Sequence, residues 1–508
     1  MRKCIQILAL SLVGALCASM AAWAAAPDTS KFVTVTYVML GNKPTNGQFE
    51  KVEAKWNAIF KERVNAHLEL KWVEWADWQT KYNLLLASGE PLDLITTATD
   101  WLDAWPNAQR GAFMNLDELL PVYAPQTWAE VPPEHWEQCK YNGKIVMIPE
   151  DHYTQWINHG IFYRGDWAKE AGIELPIKDW ETLGKYFQSV KEKHGIIPFE
   201  MDGTNGALMA GWYDSHTPSL ALPMVPTGWV ELIRAKSYDE KYTAWSPVFD
   251  QTFVDFAKMM KEWGDKGYWR EDVLNFKIPD QNTLIRSGKT GGDQHHTQTY
   301  RTLRVFMDKE QPGSDLQFFA FGEVGNNLIS MSITHGATAL GAYSKNPERA
   351  LMVYDIIRHD EEVYRLFNYG LEGVQYVIEN GVMKRPAGYD EARDRFYSDF
   401  WGGRVDKFEL PMDMVWPRIG EVYQRYDQIK KPYPYERFVF NKAPVEAELA
   451  AISNIGNQLG MAIAFGKAGD PEKAVEELRK KMKAAGYEKV LAEVQKQLDE
   501  YKKLVEGQ

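Results

Sequence analysis

Cysteine is scarce: three in 508 residues, with Cys4 and Cys17 inside the first 24. Setting those aside leaves Cys139, which excludes an intramolecular disulfide framework and the C-x-x-C spacing of thiolate sites. Cys139 itself reads as a small buried hydrophobe. Basic charge is in deficit, 58 Lys and Arg against 70 Asp and Glu. The resulting net charge of −12 opposes nucleic acid and anionic membrane, which both require basic patches. Beyond the N-terminal stretch no run of 18 apolar residues occurs, so no further membrane-spanning helix is expected. H-E-x-x-H, G-x-S-x-G and dinucleotide fingerprints are missing. Ser287-Gly288-Lys289-Thr290 has the ending of a phosphate-binding loop, but Thr283 stands where that loop requires Gly. His295 and His296 adjoin, so they cannot face one metal from a helix as an i, i+4 pair does. Neither a cofactor nor a metal is expected.

Aromatic residues are abundant: 19 Trp, 25 Tyr and 22 Phe. That total exceeds what packing obviously needs, although most of the eight Trp between Trp56 and Trp136 inclusive read as core or surface filler. The chain opens with Arg2 and Lys3, an apolar run from Ile5 to Met20, and Ala22-Trp23-Ala24. That is the pattern of a secretory signal peptide cut after Ala24. Its loss removes two positive charges and no negative one, taking the net charge from −12 to −14. Leu16 precedes Cys17 where a lipobox wants a small residue, so a free periplasmic protein is expected rather than an anchored one.

The apolar pattern alternates between periods. Lys31–Leu40 has period 2; Phe49, Val52, Trp56, Ile59 and Phe60 have helical spacing; Leu68–Trp75 returns to period 2. A helix through Trp78, Tyr82 and Leu85, capped by Asp77, leads to a strand over Leu92–Ala98. Strand–helix–strand–helix–strand predicts an α/β fold with parallel pairing. Short strands follow at Ile145–Pro149 and Ile161–Tyr163, and helices at 166–171, 179–194, 251–266 and 347–368. Residues 200–245 are rich in loops. The tail predicts a helix from Pro444 to about Phe465, another from Asp470-Pro471, and, after Gly486, an apolar stripe of Val490, Leu491, Val494, Leu498, Tyr501 and Leu504.

Several segments together resemble the extracellular solute-binding proteins of ABC importers, the family that includes the maltose-binding type. They are Trp78-Gln79-Thr80-Lys81-Tyr82 through Ser88-Gly89-Glu90-Pro91-Leu92-Asp93-Leu94; Gly111-Ala112-Phe113-Met114-Asn115-Leu116 through Tyr123-Ala124-Pro125; and Gly143–Pro149 with Phe162-Tyr163-Arg164 and Glu170-Ala171-Gly172-Ile173. The tail, with Phe438-Val439-Phe440-Asn441 and Pro444-Val445-Glu446-Ala447-Glu448-Leu449, is similar to a C-terminal domain of uncharacterised role in one branch. The resemblance implies a type II two-lobe periplasmic-binding-protein fold: discontinuous α/β lobes joined by a hinge, plus a helical C-terminal extension. Residues 27–150 and 333–395 are assigned to one lobe, and 151–332 with 396–508, including the helices of 444–508, to the other. It implies a monomer, not an enzyme, that closes on a solute and delivers it to the permease subunits of an ABC importer.

A sugar site needs carboxylates or amides for paired hydrogen bonds and indole or phenol faces for stacking. Asp100 and Trp101 directly follow a strand end, where open α/β sheets bind ligands. Asn42 lies in the turn after the first strand. Asp151 and Trp156 follow the expected hinge strand; Glu200, with Asp202, and Trp212 lie in the loop-rich region. Asp293 and His295 follow two glycines, Glu372 sits between two more, and Trp401, with Trp416, offers a further face. Each residue also has an ordinary structural reading as a cap, loop or packing group. The function that follows is capture of a solute, an oligosaccharide, for import. The alternative is a secreted glycosidase or lyase using carboxylates near Asp100 and Asp151. A peptide or acidic sugar is a third reading, and an acidic ligand would recruit guanidinium forks such as Arg286 or Arg404.

Overall fold

A computed structural model describes residues 27–75, 78–151, 158–203, 206–223, 233–277, 282–398, 400 and 403–507. The period-2 pattern forms β1 (Val33–Leu40). Helix α1 (Gln48–Val64) buries Phe49, Val52, Trp56, Phe60 and Val64 along one stripe and stops at Asn65 in the left-handed conformation. Strand β2 (Ala66–Val73) begins two residues before the Leu68 start that alternation predicts. Helix α2 (Trp78–Ala87) and the wholly buried β3 (Leu94–Thr97) follow, then β4 (Ile148–Pro149) and β5 (His159–Tyr163). Asp179 caps α3 (Trp180–His194), accepting the Thr182 N–H at 2.6 Å. Asp250 caps α4 (Gln251–Asp265) in the same way. Strands β6 (Gly292–His296), β7 (Gln317–Ala320) and β8 (Ala337–Leu340) complete the sheets.

The first sheet has the order β2-β1-β3-β8-β4. β1 pairs in parallel with β2 and β3, as expected, but β8 returns antiparallel against β3 and β4, so the sheet is mixed. The second sheet, β6-β5-β7, is wholly antiparallel. Each sheet has its own apolar core. Tyr37, Trp56, Leu94, Leu340 and Tyr354 fill the first, joined by Phe396 and Phe400. Tyr163, Trp180, Phe187, Trp263 and Phe321 fill the second. Among the described residues the chain changes three times between the first core and the apolar clusters on the second sheet: between Ile148 and Ile161, between Leu328 and Ala337, and between Phe400 and Ile419.

The helix expected over 347–368 is two: α5 (Pro347–His359) and α6 (Glu361–Tyr369). Asp360 takes an extended backbone between them and spends its carboxylate capping α6 at Val363 N–H, which ends one helix and starts the next. In the tail, Pro444 lies in a single 3₁₀ turn. The helix behind it is α7 (Glu446–Ile455), interrupted by a π segment at Gly456–Gly460 before Met461–Ala464. Helices α8 (Pro471–Ala484) and α9 (Tyr487–Glu506) flank Gly486, whose φ of 94° requires glycine. Their apolar faces, among them Leu478, Met482, Val490, Val494, Leu498 and Tyr501, belong to the same core as Trp263 and Phe256. Leu504, at the end of the stripe, is 54% exposed.

Candidate functional site

β3 stops at Thr97, and the chain turns there because Thr99 is held by a neighbour. Its N–H donates to the Thr334 carbonyl at 3.1 Å, and the two hydroxyls meet at 2.7 Å. Antiparallel pairing of β8 on β3, Ala337 opposite Thr97, brings His335 beside Asp100. The two rings of contact are specific: His335 Nδ1 lies 2.6 Å from Asp100 Oδ2, and the Trp101 indole N–H donates to the His335 carbonyl at 2.8 Å. Trp101 stacks on Trp75 (6.3 Å, 26°) and meets the edge of Trp78 (5.6 Å, 75°), forming a half-buried group of three indoles. Asn42 ties into this group by accepting the Trp75 N–H at 3.3 Å.

The second sheet contributes three imidazoles where β5 begins and β6 ends. His159 lies 5.9 Å from His295 and 5.6 Å from His296, which are themselves 4.0 Å apart, ring centre to ring centre. Burial holds all three below the ordinary histidine value; repulsion within the group adds to it for His295 and His296, and the His335 charge lowers His159 and His296 further. That influence brings the ends of the two sheets into one electrostatic neighbourhood. His159 is exposed at the start of β5. His335 goes the other way: burial alone would lower it, but Asp100, by charge and hydrogen bond, and Glu150 lift it above its ordinary value. Glu150 is buried, which pushes its carboxyl up to about 7 against the pull of Arg404, His335 and Arg358. The two sheet ends therefore offer carboxylate acceptors, neutral imidazoles and indole faces, the set that grips hydroxyls and flat C–H faces. Among the described residues no group of three or more His, Cys, Asp or Glu is placed to hold a metal ion.

The structure places His295 at the end of the second sheet, and Asn42, Asp100 and Trp101 at the end of the first. Asp151 adjoins it at a crossing, with its N–H donating to the Ile333 carbonyl at 3.2 Å and its side chain bonded to His135; burial raises its carboxyl. Asp293 is buried in β6, its carboxyl pushed up to about 7 by desolvation, and Glu200 is half-buried with its carboxyl also raised by desolvation. Trp212 corrects the expectation of a stacking face. It is 5% exposed, packs on Trp180 and His216 in the second core, and spends its indole N–H on the Thr252 carbonyl. Glu372 is exposed on a turn bridged to Tyr376. Trp156 and Trp401 lie outside the described residues. Of the guanidiniums considered for an acidic ligand, Arg286 is paired with Glu310 and Arg404 with Asp406. Trp416 packs against Tyr300 at 5.7 Å. His335, Glu150, Trp75 and Trp78 were not foreseen as site residues; the only available signal was that the Trp pair precedes Asp100 by one strand and helix.

Residues 44–351 match the family described as bacterial extracellular solute-binding protein, and residues 434–503 match a Domain of unknown function (DUF3502). A carbohydrate ABC transporter substrate-binding protein of Streptococcus pneumoniae serotype 4 is 24% identical over 486 residues, covering 94% of this chain and 93% of that protein. The crystal structure of the N-glycan transport solute-binding protein NgtS from Streptococcus pneumoniae with Man1GlcNAc superposes with a TM-score of 0.71 at 21% identity, covering 92% of this chain and 99% of the other. Alginate-binding protein AlgQ2 without calcium ion superposes with a TM-score of 0.67 at 18% identity, covering 92% and 98%. The fold is thus the α/β fold of type II solute-binding proteins.

Proposed function

The chain belongs to the bacterial extracellular solute-binding protein family, and from that premise we propose that it captures a carbohydrate, an oligosaccharide, between two α/β lobes and presents it to the permease of an ABC importer. The lobes are residues 27–150 with 333–400, and 158–332 with 419–507, a boundary later than the expected 395/396 because Phe396 and Phe400 pack in the first core, and the hinge runs through the crossings that follow Glu150, Leu328 and Phe400. A ligand that touches both sheet ends favours the closed form by its differential affinity, and the closed form is what the permease reads. No bond is made or broken. The observation that carries the reading is the Asp100–His335 pair at 2.6 Å, set beside three indoles and within electrostatic reach of the His159 and His296 imidazoles of the second sheet. Asp100 accepts hydroxyl hydrogens, the imidazoles donate or accept one each, and Trp101 with Trp75 supplies stacking area. The names of the relatives, a carbohydrate transporter component and an N-glycan binder, support a sugar. Among the described residues no helix is long and apolar enough to cross a membrane. With the leader cut after Ala24, the protein works in the periplasm.

Calorimetric titration of the mature chain with Man5GlcNAc, kestose and oligogalacturonate tests this. A ligand at 100 times its Kd should stabilise the fold by about 2.7 kcal/mol. Trp101→Ala should weaken binding of that ligand about tenfold or more, equivalent to about 1.4 kcal/mol, without lowering helix content. Mass spectrometry should recover the sugar intact after days; cleaved products sink the proposal, and unchanged affinity in Trp101→Ala sinks the placement of the site.

A further inference from the structure

The segment entering the C-terminal helices carries a buried carboxylate to the crossing between the cores. Glu436 accepts from the Ser332 hydroxyl at 2.5 Å, a length typical of a charge-assisted O–H···O⁻ bond. From Ser332 a file of hydroxyls continues: 2.7 Å to Thr334 Oγ1, then 2.7 Å to Thr99 Oγ1. Ser332 and Thr334 are fully buried. An ionised carboxylate only accepts, and each hydroxyl has one proton to give. Ser332 therefore donates to Glu436, Thr334 to Ser332, and Thr99 to Thr334, all pointing one way and each polarising the next. The file ends beside the sugar-site pair, because Thr99 is the residue before Asp100 and Thr334 is the residue before His335.

Glu436 is in turn placed by the C-terminal region. The Tyr501 hydroxyl on α9 donates to the Pro434 carbonyl at 3.0 Å. Gln497 clamps Asn441 on both sides, its amide donating to the carbonyl at 2.8 Å and its oxygen accepting the N–H at 2.8 Å. Tyr435 and Phe438 anchor the segment in the second core. We propose that Glu436 is a positioning residue for the Asp100–His335 pair and that the C-terminal domain of unknown role exists in part to carry it there. The inference rests on reading that pair as the ligand-contacting centre, but its test needs no ligand.

The experiment follows the His335 imidazole by NMR in the full mature chain labelled at histidine, with His335→Gln identifying the signal. His335 is faced by Asp100, Glu150, His159 and His296, so its titration reports how closely Asp100 is held. Glu436→Gln weakens the file by removing the charge at its end, and Thr334→Val breaks it without touching the C-terminal region. Both should lower the His335 midpoint by about half a unit or more, roughly a threefold loss of proton affinity. Gln495→Ala, which frees α9 from Tyr242 and Ala244 only, should leave the midpoint in place. A purely structural Glu436 would change the melting temperature but not the midpoint. Coincident midpoints in the native chain and both variants, at native circular dichroism, overturn the proposal, and Thr334→Val alone decides it if Glu436→Gln does not fold. Adding Man5GlcNAc to the native chain separates the two readings, since failure of the sugar to bind leaves the titration result standing.

Discussion

The two sheets reach a full core by different routes. The first is covered by helices adjacent in sequence to its strands: α1 lies between β1 and β2, and α5 follows β8 directly. The second has three antiparallel strands and borrows much of its filling from α8 and α9, more than 150 residues downstream of β7. The Arg479 guanidinium of α8 reaches the Val248 and Asp250 carbonyls at 2.7 and 2.6 Å, and the Trp269 indole donates to the Phe465 carbonyl at 3.0 Å. The tail is therefore part of one lobe's interior rather than an appendage.

The largest test of this contrast is deletion of residues 487–508. It strips Val490, Val494, Leu498 and Tyr501 from the second core. At about 1.5–3 kcal/mol per buried side chain, a loss on the order of 6–12 kcal/mol should leave that lobe unfolded by hydrogen exchange while β1–β3 amides stay protected. Equal loss of protection in both sheets would break the contrast. Next comes pH. His295 and His296 titrate low in the folded protein, near 3 and 2, so the unfolded chain binds more protons below its ordinary value of about 6.5 and stability falls on acidification. His335 titrates above its ordinary value, so its contribution is complete at low pH and is lost as pH rises through its folded value. Urea titrations from pH 5 to 9 should show His296→Gln removing part of the acid-side loss and His335→Gln removing part of the alkaline-side loss. The same sign for both would refute the assignment. A smaller effect sharpens the comparison of helix starts: Asp179→Ala and Asp360→Ala should each cost about 1 kcal/mol, measured by thermal unfolding. Smallest of all, Leu504→Ser at the exposed end of α9 should change stability by less than about 0.5 kcal/mol.

What could be read from the chain was local. The stripe of α1, the alternation of β1 and the caps Asp179 and Asp470 each depend on neighbours within four residues, and each appears where the pattern put it. Asp100 and Trp101 were legible for the same reason, as a polar–aromatic pair just past a strand. His335 was not, because its role comes from antiparallel pairing with a strand 240 residues earlier, which no periodicity near Thr334-His335-Gly336 records. Trp212 was misread because an indole in a loop-rich stretch looks alike whether it packs or stacks; only helix 207–216 turning it onto Trp180 decides. The break at Asp360 was hidden because helical spacing continues on both sides of it.

Three separate passages of the chain link the cores. A single tether would let one half swivel freely, but several straps abreast resist torsion while still allowing a bend. In the proposed closing motion such straps would confine the halves to one arc and return the same side chains to the same opposing partners each time.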